Sequence, residues 1–267
     1  DLDYATSAAL WGATFNGGQV CASVERLLLH RSIRQPFVDL LLQKIGRLNV
    51  DTDLGRITMS RQKAVYDAHL ASSKAAGLTV LCGGTYLDAN RLAPTLIDGA
   101  GIESAAVYTE ETFGPVAAIA TFDDDADAIR KHNDSAFGLT ASVFSKSQQR
   151  AARIAEELQA GLVAINDIGA TLHAFSELPW GGFKDSGFGR SHGEAGFLEF
   201  TQTRVIERTR PGLFDFKRPW WYPYDDEQRR MLRAYSVVIG ARGAGRFGAG
   251  VDMLASFRRM LRRHPRI

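Results

Sequence analysis

Residues 15–26 read Phe15-Asn16-Gly17-Gly18-Gln19-Val20-Cys21-Ala22-Ser23-Val24-Glu25-Arg26. An alanine-rich helical pattern over 3–14 precedes this stretch, and the apolar run Val24–Leu29 follows it as a predicted buried strand. Glycines before Cys21 let a second backbone and a small ligand approach the sulfur closely. A thiolate in such a loop attacks carbonyl carbons well. The alternative is a buried structural cysteine, against which the polar and flexible Asn-Gly-Gly-Gln segment argues.

The remaining pattern alternates between helices and strands. Helical spacing recurs over 34–47, 60–76, 125–132 and 147–160, between predicted strands at 78–81, 92–97, 116–122, 141–144 and 162–165. This alternation predicts an α/β fold with an open, mostly parallel sheet flanked by helices. A short helix over 191–200 and a final strand over 201–207 follow.

The composition is that of a globular protein whose carboxyl-terminal part is basic. The chain has 267 residues, of which 45% are hydrophobic and 23% charged, and its formal net charge is +2. Residues 209–267 hold 13 Lys and Arg against 5 Asp and Glu, a balance of +8, so residues 1–208 carry −6. We therefore predict a domain over 1–208 and a basic, partly helical extension over 209–267.

Cysteine and histidine usage limits the class of protein. The two cysteines, Cys21 and Cys82, make no disulfide framework and indicate a reducing compartment. No Cys-x-x-Cys pair occurs and the six histidines are scattered, so we expect no metal site. No apolar run approaches the ~18–20 residues that span a bilayer. We expect a cytoplasmic protein that binds no nucleic acid.

Two further stretches are candidates for ligand binding. In Glu110-Glu111-Thr112-Phe113-Gly114-Pro115, a carboxylate can accept both hydroxyls of a ribose and the aromatic ring can pack on a flat ring. Taken alone, this stretch is also compatible with a solvated acidic turn. The glycine-rich stretch Pro179–Arg190 lacks the strand–Gly-x-Gly-x-x-Gly–helix context of a phosphate loop, which favours a structural turn. His173, in an irregular loop, is a weaker pocket candidate.

Together, the three stretches resemble the NAD(P)-dependent aldehyde dehydrogenase superfamily. The motifs Asn16–Ala22, Glu110–Val116 and Pro179–Arg190 stand in the family's order and at its separations, and the resemblance covers residues 1 to about 207. It implies the aldehyde dehydrogenase catalytic domain, without most of the N-terminal dinucleotide-binding domain. It also implies NAD or NADP as cofactor, a small aldehyde as substrate, and a homo-oligomer in which the strand over 201–207 pairs across subunits.

The resemblance also implies roles for individual residues. Cys21 matches the catalytic nucleophile, which forms a thiohemiacetal with the aldehyde and then a thioester. Glu111 matches the carboxylate that holds the nicotinamide ribose, and Phe113 matches the aromatic ring beside the nicotinamide. Asn16 matches an asparagine that buttresses the cysteine loop, and Trp180 occupies the position of an aromatic residue that lines the aldehyde tunnel.

The departures from the family concern the amino-terminal half. The dinucleotide-binding domain, the general-base glutamate and the oxyanion-hole asparagine normally precede this segment, and none of them matches a stretch of the chain. We therefore expect a catalytic half that does not turn over alone. Two rivals stay open: a semialdehyde dehydrogenase in which coenzyme A takes the thioester, and a non-catalytic assembly subunit that keeps the fold.

The extension carries an amphipathic pattern. Positions 253, 254, 257, 260 and 261 are apolar and fall on one helical face, opposite Arg258, Arg259, Arg262 and Arg263. Basic residues opposite an apolar face suit an anionic membrane surface, which predicts peripheral membrane contact as a second hypothesis. The alternative is a helix that packs on this protein or on a partner subunit.

Overall fold

The computed structural model describes residues 1–169, 175–208, 224–240 and 244–263. The helices are α1 Leu2–Thr14, α2 Arg34–Ile45, α3 Ser60–Ala75, α4 Ala106–Thr109, α5 Asp125–Asn133, α6 Gln148–Glu157, α7 Gly193–Leu198, α8 Asp226–Gly240 and α9 Ala244–Arg263. The strands are β1 Arg26–His30, β2 Thr79–Cys82, β3 Tyr86–Asp88, β4 Arg91–Leu92, β5 Thr95–Asp98, β6 Val116–Phe122, β7 Phe137–Gly138, β8 Thr140–Val143, β9 Leu162–Ile165 and β10 Phe183–Lys184.

A mixed, mostly parallel sheet forms the centre of the first part of the chain. Its strand order is β1-β6-β5-β2, with β1 and β5 parallel to β6 and β2 antiparallel to β5. A second parallel pair joins β8 to β9, and short antiparallel pairs join β3 to β4 and β7 to β10. The open, mostly parallel α/β sheet predicted from the helix–strand alternation is confirmed.

Strand β6 is buried on both faces because helices cover the sheet on both sides. Its side chains alternate, so that Ala117 and Ile119 join Phe37 and Leu41 of α2 in one core. Ala118 and Ala120 face the opposite core, which includes Tyr66 of α3. Two-sided burial of this kind accounts for the nearly continuous apolar run of β6.

The chain divides into two compact units, Asp1–Gln202 and Thr203–Ile267. In the second unit, α8 packs against α9. Residues 244–250, which include three glycines, belong to α9. The boundary predicted after residue 208 stays a prediction. Among the residues that the structure describes, no helix is both long and apolar enough to cross a membrane.

The strand predicted over 201–207 is not formed. Residues 201–208 have no regular structure and are exposed. The apolar and β-branched residues of this segment favour a strand, but a strand needs a partner for its backbone N–H and C=O groups. Pairing with a second copy of the chain stays a prediction.

Candidate active site

Cys21 lies at the tip of a tight loop between α1 and β1. The loop reverses direction through three residues with positive φ, namely Asn16 (52°), Gly17 (66°) and Gly18 (72°). The Ser23 N–H donates to the Val20 carbonyl at 2.8 Å, which closes a turn around Cys21. Ala22 is buried while Cys21 is exposed. The sulfur is therefore accessible rather than part of the core.

Asn16 and Gln19 brace the loop from inside. Asn16 Nδ2 donates to the Gln19 carbonyl at 3.1 Å, and Gln19 Nε2 donates to the Asn16 carbonyl at 3.0 Å. Gln19 also reaches a distant segment, because its Nε2 donates to the Arg56 carbonyl at 2.9 Å and its Oε1 accepts the Thr58 N–H at 3.0 Å. The polar residues before the cysteine thus fix its loop.

The other end of the loop is tied to α1. The Val24 N–H donates to the Gly12 carbonyl at 3.0 Å, and Ser23 Oγ donates to the same oxygen at 3.1 Å. A Cβ on Gly12 would lie 2.7 Å from a methyl carbon of Val24, so this helix position requires a small residue. Cys21 is consequently held between two anchored segments.

Cys82 has a different environment. It lies on β2, its side chain is half-buried, and its Sγ is 3.5 Å from the Pro94 carbonyl oxygen. Burial raises the pKa of the Cys82 thiol. An apolar site that disfavours the thiolate suits a structural cysteine.

The loop Glu110–Pro115 carries the second motif and lies directly against the cysteine loop. A Cβ placed on Gly18 would overlap the Gly114 carbonyl, so the two backbones are in van der Waals contact. Glu111 is exposed, Thr112 is buried, and Phe113 is half-buried with a positive φ of 51°. The fold therefore brings together the two motifs that contain Cys21, Asn16, Glu111 and Phe113.

The Glu25 side chain hydrogen-bonds to the backbone of the Glu110–Pro115 loop. The sequence motifs gave no indication of this role. Its Oε2 accepts the Thr112 N–H at 2.8 Å and its Oε1 accepts the Phe113 N–H at 2.9 Å. Burial raises the pKa of the Glu25 carboxyl to about 7, although the two N–H donors act in the opposite direction. The only sequence signal was a carboxylate at the start of a buried strand, where an unpaired charge is costly.

Helix α3 holds the same loop from another side. His69 is buried, with Nδ1 at 3.0 Å from Thr112 Oγ1 and Nε2 at 3.4 Å from Glu110 Oε2. Gln62 Nε2 donates to the Thr112 carbonyl. With the bonds from Glu25, the N–H, C=O and hydroxyl groups of Thr112 all have partners, so the backbone of this loop is fixed at its centre.

The glycine-rich stretch is a close-packed turn cluster. Trp180 exchanges two backbone hydrogen bonds of 2.7 Å with Ser191 and is half-buried. A Cβ on Gly161 would overlap the Gly181 carbonyl, and the Arg190 guanidinium donates to the carbonyls of Gly182 and Gly189. These contacts favour the structural interpretation of the glycines. The tunnel role of Trp180 stays a prediction, and His173 lies outside the described residues.

Comparison with known proteins shows which family the chain resembles. The Aldehyde dehydrogenase family profile matches residues 1–206. The chain is 38% identical over 230 residues to 4,4'-diapolycopene aldehyde oxidase of Methylomonas sp, covering 84% of this chain and 42% of that protein. It is 36% identical to vanillin dehydrogenase of Pseudomonas fluorescens, covering 77% of this chain and 43% of that protein.

A solved structure shows the same fold. Betaine aldehyde dehydrogenase from Staphylococcus aureus, in complex with NAD+, superposes with a TM-score of 0.72 at 31% sequence identity. The match covers 81% of this chain and 45% of that one, so the chain spans less than half the length of the relatives it matches. The family is NAD(P)-dependent. From its motifs, its fold and these similarities, the chain belongs to the aldehyde dehydrogenase family.

Proposed function

We propose that this chain is the C-terminal catalytic half of an enzyme that oxidises an aldehyde to a carboxylic acid with NAD or NADP. The observation that carries the proposal is the packing of the Cys21 loop against the loop that presents Glu111 and Phe113. One loop offers an accessible sulfur, and the other offers an exposed carboxylate and an aromatic ring. A nucleophile beside a nucleotide-binding surface suits oxidation of a covalently held substrate.

In the proposed chemistry, the Cys21 thiolate adds to the aldehyde carbon and gives a thiohemiacetal. The Cys21 N–H is a candidate donor to the developing oxyanion, and Asn16 and Gln19 keep the turn in shape. When bound, the oxidised nicotinamide supplies the hydride acceptor. Loss of hydride leaves a thioester on Cys21, and water activated by a general base from outside this chain releases the acid.

The residues of the Glu110–Pro115 loop fit the expected cofactor. Glu111 is exposed, so its two oxygens are available to the hydroxyls of a ribose. Phe113 is half-buried, and its ring can offer an apolar surface to a flat nicotinamide. Both side chains project from a loop whose central residue is buried and hydrogen-bonded. For the substrate, the proposed contact is Trp180 at the aldehyde tunnel.

Two alternatives share the same nucleophile or the same fold. If coenzyme A takes the thioester in place of water, the product is an acyl-thioester and the enzyme is an acylating semialdehyde dehydrogenase. A non-catalytic assembly subunit would need neither an exposed Cys21 nor a braced loop around it. The accessible sulfur therefore favours an enzyme, and identification of the product separates the two enzymes.

The reactivity of the two cysteines tests the proposed nucleophile. We expect iodoacetamide to label Cys21 at least about tenfold faster than Cys82, because Cys21 is exposed while burial raises the pKa of Cys82. Peptide mass spectrometry over a time course measures both rates in one sample. Cys21→Ser should leave only the slow reaction, and equal labelling rates would contradict the assignment.

A second proposal concerns peripheral contact between α9 and an anionic membrane surface. One helix face bears Phe247, Val251 and Leu254, which are 80%, 54% and 63% exposed. Arg258 is also exposed, and residues 209–267 have a net charge of +8, 13 basic against 5 acidic. An apolar stripe in a basic segment combines the two contributions that bind helices to lipid interfaces.

Contacts between α8 and α9 differ in part from the predicted division of α9 into an apolar face and an arginine face. Arg259 was expected opposite the packed side, but its Nε lies 3.1 Å from the buried Glu227 carboxylate of α8. Arg230 Nη2 contacts the same carboxylate at 2.9 Å. The Arg259 side chain stays 50% exposed while it pairs with the buried Glu227 carboxylate, so the arginines of α9 do not all lie on a face that is free for another surface.

Liposome co-sedimentation tests the membrane proposal in the full chain. Vesicles of phosphatidylcholine with phosphatidylserine should sediment the chain, and a Val251→Asp/Leu254→Asp variant should bind at least about tenfold more weakly. Raised salt should weaken binding because the charge attraction is screened. A matched control, Val237→Asp on α8, should bind as the parent chain does. Equal binding by parent and double variant would remove the proposal.

A further inference from the structure

The carboxyl group of Glu25 lies against the buried side of the Glu110–Pro115 loop and accepts hydrogen bonds from it. Its backbone carbonyl accepts the Ala118 N–H at 2.8 Å, which fixes Glu25 at the start of the sheet. Its two side-chain oxygens then accept the N–H groups of Thr112 and Phe113 at 2.8 and 2.9 Å. One side chain therefore links the sheet to two consecutive residues of the loop.

The loop needs this acceptor because of its conformation. Phe113 has a φ of 51°, a left-handed value that is uncommon for a residue with a Cβ. The turn directs two successive N–H groups towards the protein, where Thr112 is buried. Buried N–H groups without an acceptor are strongly unfavourable, and a carboxyl group, which has two oxygens that can accept, satisfies both.

The same turn directs neighbouring side chains outward. Glu111 is exposed and Phe113 is half-buried, while Thr112 between them is buried and contacts His69 and Gln62 of α3. We propose that Glu25 is a positioning residue that holds Glu111 and Phe113 in the geometry required for the nicotinamide cofactor. This role rests on the proposed function, and it does not require that Glu25 touch cofactor or substrate.

The charges around Glu25 make its contribution depend on pH. Glu111 on the loop opposes ionisation, and Arg26 beside Glu25 on the chain favours it. His69 of α3 also lies against this loop, with one ring nitrogen near the Glu110 carboxylate and the other near the Thr112 hydroxyl. With burial as the largest influence, the pKa of Glu25 in the packed loop is about 7, against 4.5 for an exposed glutamate.

The direction of the pH effect follows from these two pKa values. Between pH 4.5 and about 7, the packed loop holds one more proton than a loop that has opened and exposed Glu25 to water. Raising the pH therefore favours opening, by up to about tenfold per pH unit, and the effect levels off above about pH 7. A glutamine at this position has no proton to lose.

Hydrogen exchange of the backbone N–H groups of residues 110–114 and 116, compared between the full chain and its Glu25→Gln variant, tests the proposal. At about pH 5.5 the Glu25 carboxyl in the packed loop is protonated, but its carbonyl and hydroxyl oxygens can both still accept a hydrogen bond. Glutamine offers one acceptor oxygen and turns an NH2 group towards the second N–H. At about pH 5.5 we expect about tenfold faster exchange of the Thr112 and Phe113 amides in the variant, after correction for intrinsic rates. Protection in the parent chain should fall about tenfold or more between about pH 5.5 and 7.5, and in the variant it should change less than about threefold.

Glu156→Gln is the matched control, because Glu156 lies exposed on α6 and the same chemical change is made there. It should follow the parent chain in protection and in pH dependence. If Glu25→Gln also follows the parent chain at both pH values, the positioning role is wrong.

Cofactor kinetics in the whole protein separate this inference from the proposed function. We expect Glu25→Gln to raise the KM for NAD about tenfold with a smaller change in kcat, and to leave Cys21 alkylation within about twofold of the parent rate. If the parent protein oxidises an aldehyde but the variant shows the same KM, Glu25 has no positioning role and the function stands. If the parent protein has neither NAD- nor NADP-dependent activity, the proposed function falls and the proposed cofactor role with it.

Discussion

Replacing Cys21 with serine is expected to reduce aldehyde oxidation by the whole protein at least about 10⁴-fold in kcat/KM. A serine hydroxyl is far less acidic than a thiol, so it supplies almost no anionic nucleophile at neutral pH. The braces around residue 21 involve Asn16, Gln19, Ser23 and Val24, none of which bonds through the sulfur in the contacts described above. The loop should therefore keep its shape.

The measurement is the rate of reduced nicotinamide formation as a function of aldehyde concentration. Cys82→Ser is the matched control, and its kcat/KM should stay within about twofold of the parent value because Cys82 is a half-buried strand residue. The two variants should bind NAD with the same affinity as the parent. A Cys21→Ser enzyme that retains a tenth of the parent activity would exclude the Cys21 thiolate as the required nucleophile.

Gly18→Ala is expected to cost about 3 kcal/mol or more of unfolding free energy beyond the cost of an ordinary left-handed glycine. Two effects add. Gly18 has a φ of 72°, which disfavours any residue with a Cβ, and its new methyl group would overlap the Gly114 carbonyl and approach Pro115 N. Because the obstacle is backbone rather than a flexible side chain, the two loops must separate.

Gly77→Ala isolates the conformational part of that cost. Gly77 has a similar φ of 76°, but no heavy atom lies within 4 Å of its added Cβ. Gly77→Ala should lower the free energy of unfolding, measured in urea, by about 1–2 kcal/mol, the usual cost of a left-handed residue with a Cβ. If both variants lose the same free energy, the Cys21 loop and the Glu110–Pro115 loop are not in the contact described. Faster alkylation of Cys21, or faster amide exchange in the Glu110–Pro115 loop, would show that Gly18→Ala loosens these two loops.

The parts of the fold that follow from local patterns were predictable. Strands β6 and β9 have the predicted bounds, Val116–Phe122 and Leu162–Ile165, because each is a short apolar run bounded by turn residues. Helices α1 and α2 also lie where their apolar spacing places them, within about two residues at each end. In these segments, burial and local propensity favour the same structure.

Contacts between distant segments were not predictable from local patterns. The bonds from Glu25 to Thr112 and from Gln19 to Thr58 join residues far apart in sequence, and glutamate or glutamine alone gives no indication of its partner. The resemblance implied that Cys21, Glu111 and Phe113 act together, but no sequence motif indicated the contact of Gly18 with Gly114. The strand predicted over 201–207 is not formed for a related reason, since strand propensity is local while a strand also needs a backbone partner.

The same distant bonds set a lower limit on when the Glu110–Pro115 loop can become rigid as the protein is synthesised. Glu25 and Phe113 are 88 positions apart in the chain, so the hydrogen bonds between Glu25 and the Glu110–Pro115 loop cannot form until the intervening residues have left the ribosome. At roughly 5–20 residues per second, that interval is roughly 5–20 s. During this time Cys21 lies in a nascent chain that lacks the Gly114 backbone against which Gly18 of its loop later packs.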